Sequence, residues 1–68
     1  PPPPDPHDPD DALWVALRTL TEREREAVVL RYVADLDHAA IAAALATTPA
    51  MSRRLVSDGL ASLRRTLT

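Results

Sequence analysis

The 68-residue chain has no cysteine, no lysine and a single glycine, and six of its seven prolines fall within the first nine residues. Without cysteine there is no disulfide framework, no thiolate zinc site and no cysteine nucleophile. The same absence fits a reducing compartment. With Gly59 as the only glycine, no glycine-rich loop can cradle a phosphate. No uncharged run reaches the roughly 20 residues that a membrane-spanning helix needs, and the N-terminus lacks the basic-then-apolar pattern of an export signal. The chain therefore reads as soluble and cytoplasmic, with no membrane partner. Its length allows one small domain and excludes the large enzyme architectures.

The net charge of −2 argues at first against a nucleic-acid partner, since phosphate binding calls for a basic surface. Its distribution matters more than its sum. Residues 1–11 hold Asp5, Asp8, Asp10 and Asp11 and no basic residue, whereas residues 12–68 hold eight Arg against six acids, a net +2. Within that remainder, residues 51–68 carry Arg53, Arg54, Arg64 and Arg65 against Asp58 alone. The acidity sits in the leader and the basicity at the C-terminus.

The stretch 1–10 is rich in Pro and Asp and offers no apolar anchor, so it reads as an extended linker. From Asp11 to residue 68 the pattern predicts an all-α, four-helix domain. The first helix starts from Asp10 or Asp11 as N-cap and runs to about Thr19, with Leu13, Trp14, Leu17 and Leu20 as its apolar stripe. Thr21-Glu22-Arg23-Glu24 has the form of a capping box and opens a second helix to about Ala34. Its apolar face is Ala27, Val28, Leu30, Tyr32 and Val33. Asp37 caps a short, alanine-rich third helix from His38 to about Leu45. Thr48 then caps a fourth, with Pro49 at the first helical position and an end near Leu67. Val56, Leu60, Leu63 and Leu67 form its buried stripe, and Gly59 near that side leaves room for close packing. Ala50, Arg54, Ser57, Ala61 and Arg65 lie opposite. The last two helices and their three-residue turn make a helix-turn-helix candidate.

Few residues could support catalysis. His7 in the leader and His38 at the start of the third helix lie in different elements, without a third ligand at metal spacing. The alternating run Glu22 to Glu26 reads as a solvated helix face, and Asp35 and Asp37 as turn and capping residues. The expectation is a non-enzyme with no cofactor and no metal. The fourth helix offers more. Arg53 and Arg54 lie in its first two turns, the part of a recognition helix that meets base edges, and Ser57 follows one turn later. Arg64 and Arg65, near the C-terminus of the helix, suit either phosphate contacts or the helix dipole alone.

These residues resemble region 4 of bacterial sigma factors, particularly the extracytoplasmic-function group. The resemblance runs from Asp11 to Thr68. It rests on Ala12-Leu13-Trp14 through Leu20, the run Thr21-Glu22-Arg23-Glu24-Arg25-Glu26-Ala27-Val28-Val29-Leu30-Arg31-Tyr32-Val33, then Leu36-Asp37-His38-Ala39-Ala40-Ile41-Ala42, and Thr48 to Arg65. It implies a domain that reads the promoter −35 element through its last helix, docks on the β flap of core RNA polymerase, and is open to capture by an anti-sigma factor. By the same resemblance, the leader is the linker from an upstream region 2. The implied DNA-facing set is Thr48, Ala50, Met51, Arg53, Arg54, Ser57, Arg64 and Arg65. The chain departs from the family at Ala46, where glycine is frequent, at Ala40, at Met51-Ser52 and at Asp58, which could pair with Arg54 and compete with phosphate. Two other readings stay open: a sigma-like protein-interaction module with weak DNA binding, and a LuxR-type DNA-binding domain, whose opening is similar to Leu20 through Leu30.

Overall fold

The computed structural model describes residues 9–67, with side chains from Ala12 onward. Four helices follow in order: α1 (Pro9–Arg18), α2 (Glu22–Tyr32), α3 (His38–Leu45) and α4 (Pro49–Leu67). This is the all-α, four-helix architecture expected, and the starts of α2, α3 and α4 fall where the capping residues place them. Thr21 makes the full capping box: its hydroxyl accepts from the Glu24 amide at 3.2 Å and the Glu24 carboxylate accepts from the Thr21 amide at 3.2 Å. The Asp37 carboxylate accepts from the Ala40 amide at 2.8 Å.

The start of α1 differs. Asp10 and Asp11 lie inside the helix rather than capping it, because Pro9, with its fixed φ and missing N–H, occupies the start. The rest of the linker stretch, with His7, lies outside the described residues.

Core formation turns on α4, which packs against each of the other three helices. One cluster joins Ala16, Leu17 and Leu20 of α1 and the loop after it to Val28 of α2 and Leu63 of α4. A second joins Ala27, Ile41 and Val56, from α2, α3 and α4. The buried positions of α4 are Ser52, Val56, Gly59 and Leu63, spaced by four, three and four residues as along a helix-packing seam. Gly59 lets α4 approach α2 closely, since a Cβ there would lie 2.7 Å from Val28 Cγ2 and 3.2 Å from Leu20 Cδ2.

Several residues assigned to apolar stripes are exposed instead. On α1 the buried stripe is centred on Ala16, Leu17 and Leu20, which leaves Trp14 well off to its side and Leu13 at an open edge. At the C-terminal end of α2, Tyr32 and Val33 stay exposed on the rim of an open groove shared with α1 and α4 instead of entering the core. The helix also ends at Tyr32, earlier than the periodicity suggests, as the chain turns through Asp35 at a φ of 58°. Leu67 is exposed because α4 overhangs its partners there, its last link to the α1 end being a 3.3 Å contact between the Thr66 and Thr19 hydroxyls.

Candidate nucleic-acid interface

The turn between α3 and α4 determines how α4 is presented. At the end of α3, Thr47 N–H donates to Ala42 O at 2.8 Å and Ala46 N–H to Ala43 O at 3.4 Å, the bonding of a Schellman motif. That motif needs a left-handed residue, and Ala46 supplies it with φ 55° and ψ 49°. Thr48 then caps α4, its hydroxyl accepting from the Met51 amide at 3.1 Å. Pro49 follows at the first helical position, where the absent N–H leaves no bond unmade. The connection of α3, short turn and α4 fits a helix-turn-helix.

Advancing by about 100° per residue, the four buried positions of α4 occupy an arc of roughly 60°. Arg53, Arg64, Ser57, Ala50, Arg54, Arg65 and Met51 lie in a second arc of roughly 160° facing away from it. All seven are exposed. The structure therefore brings together, on one open face, every side chain expected at the interface except Thr48, whose hydroxyl is engaged in the cap. Arg64 and Arg65 stand about 16 Å farther along the axis than Arg53 and Arg54.

The arginines on this face differ in their surroundings. Arg53 has no ion-pair or hydrogen-bond partner among the described residues. Arg54 lies 3.7 Å from Asp58 one turn on, the pairing expected from the sequence, with both side chains well exposed. At that exposure the pair contributes little stability. Arg65 donates to the Ser62 hydroxyl at 3.0 Å.

Comparison with known families adds to this geometry. The family described as "Sigma-70, region 4" matches residues 10–63, which take in all of α2 and α3 and most of α1 and α4. The chain belongs to the sigma-70 region 4 family. Such a domain is a non-enzymatic, DNA-binding part of a sigma transcription factor that interacts with promoter DNA and RNA polymerase. Neither a curated protein nor a solved structure matches the chain. The match includes residues of α1, which precedes the Leu20 to Leu30 stretch that carries the LuxR-type likeness.

In this region 4 domain no group of three or more potential metal ligands occurs among the described residues. No helix there is long and apolar enough to cross a membrane. Three contacts were not legible from residue patterns. Ser52, fully buried, meets His38 at 2.9 Å between Oγ and Nδ1. Arg23, read as part of a solvated face, donates to Leu45 O at 3.1 Å and so closes the exposed C-terminal end of α3. Arg31 donates to Leu36 O at 3.0 Å and holds the α2–α3 loop. The only available signal was a Ser at a seam position of α4, and spacing alone does not reveal its partner.

Proposed function

We propose that this domain reads the promoter −35 element through the outer face of α4. Arg53, Arg54 and Ser57 meet base edges, Ala50 and Met51 line the same groove, Thr48 stands at the helix start, and Arg64 and Arg65 contact phosphates. The observation that carries this reading is the single exposed arc that gathers these side chains opposite the buried seam of α4. A helix placed N-terminus first in a major groove presents such an arc to bases in its first two turns and to backbone beyond them. The test is fluorescence anisotropy at low salt with −35 duplexes. Arg53→Ala combined with Arg54→Ala should abolish preference for the recognised duplex, and unchanged binding would refute the assignment.

Core polymerase takes a different face. An apolar groove of about 210 Å³, lined by residues including Leu13, Leu17, Tyr32, Val33 and Leu60, opens between α1, α2 and α4. With Trp14 exposed nearby in sequence, it gives the β flap an apolar seat away from the α4 arc. An anti-sigma factor or other regulator would act by covering either face. The Pro/Asp-rich stretch 1–10 links the domain to what lies upstream, and the protein acts in the cytoplasm, where promoter DNA is. The exposed Arg54–Asp58 pair favours a second reading, in which DNA affinity is weak and polymerase contact dominates. Retained flap binding without any duplex affinity would decide for it.

A further inference from the structure

A polar contact inside the domain joins the two helices of the helix-turn-helix. Ser52 is the one polar residue among the buried side chains of the described residues, and its hydroxyl lies 2.9 Å from Nδ1 of the half-buried His38. His38 is the first residue of α3, and Ser52 lies in the first turn and a half of α4. The pair therefore joins the start of one helix of the helix-turn-helix to the start of the other. Either group can donate, because a serine hydroxyl both donates and accepts and a neutral imidazole offers one nitrogen of each kind.

We infer that the His38–Ser52 hydrogen bond is a specificity-determining clasp: it sets the rotation of the first turns of α4 about the helix axis, and with it the aim of Arg53 and Arg54. Ser52 is chain neighbour to Arg53, and the other first-turn residues, Ala50 and Met51, face solvent. The next buried residue of α4, Val56, lies a full turn farther on. Apolar contacts such as those of Val56 tolerate small rotations, whereas a hydrogen bond weakens steeply as its angle departs from linear. His38 and Ser52 are positioning residues acting through Arg53 and Arg54, and they touch no base themselves. This inference rests on the DNA reading proposed above.

The test uses the 68-residue chain and duplexes enriched from a randomised pool by the wild-type protein, each compared with a scrambled duplex of equal length. Circular dichroism selects a temperature at which every variant is folded. Ser52→Ala and His38→Ala should lower the ratio of selected to scrambled affinity by roughly fivefold or more, while affinity for the scrambled duplex, governed by phosphate contacts, stays unchanged. His38→Asn, which keeps a hydrogen-bonding atom near the position of Nδ1, should restore most of the ratio. The combination His38→Leu with Ser52→Val removes the bond without stranding a buried polar group, and should fold yet discriminate poorly. A wild-type ratio in this double variant, or in folded Ser52→Ala, would overturn the clasp alone. Failure of the wild-type chain to enrich any duplex would overturn the DNA reading and the clasp with it.

Discussion

Ala46 occupies a backbone conformation that glycine adopts without penalty. A left-handed non-glycine residue costs about 1–2 kcal/mol, and glycine gives back part of that through its freer unfolded state. Ala46→Gly is therefore expected to stabilise the domain by about 0.5–1 kcal/mol, raising Tm by about 2–8 °C. Thermal melts followed by circular dichroism measure this, and a lower Tm would show that the Schellman turn is relaxed with alanine in place. Gly59 is the opposite case. Helix propensity alone would make Gly59→Ala favourable by about 1 kcal/mol, but the new methyl would overlap a methyl of Val28, a stiff side chain within the core. Overpacking of that kind costs about 1–3 kcal/mol, so a net loss near 1 kcal/mol is expected in urea denaturation. The room at Gly59 was readable in the sequence from its place beside the buried stripe of α4. The strain at Ala46 was not, because the sequence admitted either a turn avoiding positive φ or one accepting it.

At the scale of elements, the starts of α2, α3 and α4 were legible because each has a local signature: a capping box, an Asp cap, and Thr before Pro. Which faces the helices bury was less legible. Trp14, Tyr32 and Val33 are apolar and near helical spacing, yet burial also requires a neighbour to cover them: Trp14 lies off the buried stripe of α1, and Tyr32 and Val33 stay exposed at the open groove between α1, α2 and α4. Periodicity records a helix and says nothing of where the opposing helix stops. The outer face of α4 carries its own expectation. Removing the acid in Asp58→Ala releases Arg54 from an exposed pair worth about 0.2–1 kcal/mol, so duplex affinity at low salt should rise by roughly threefold and by no more than about fivefold. Folding stability should move by less than about 0.5 kcal/mol. Unchanged affinity would mean that Arg54 does not reach the DNA.

For the molecule as a whole, charge sets how strongly it can hold DNA unaided. The four arginines of the α4 face can displace at most about four counterions, so log K against log salt should have a slope no steeper than about −3.6. Anisotropy titrations over a salt series measure it. A steeper slope would bring in Arg18, Arg23, Arg25 or Arg31, and so a broader footprint than the single helix. Such modest electrostatics suit a domain that reaches its site in the company of a larger machine. The same helix whose outer face is proposed to meet DNA also contributes to both core clusters, through Val56 and Leu63 of its buried seam. Fold and message are thus written in separate columns of one helix. On the proposed reading, rewriting Ala50, Arg53, Arg54 and Ser57 exchanges promoter preference while the scaffold is left alone, so that a new specificity arises through single replacements with every intermediate still folded.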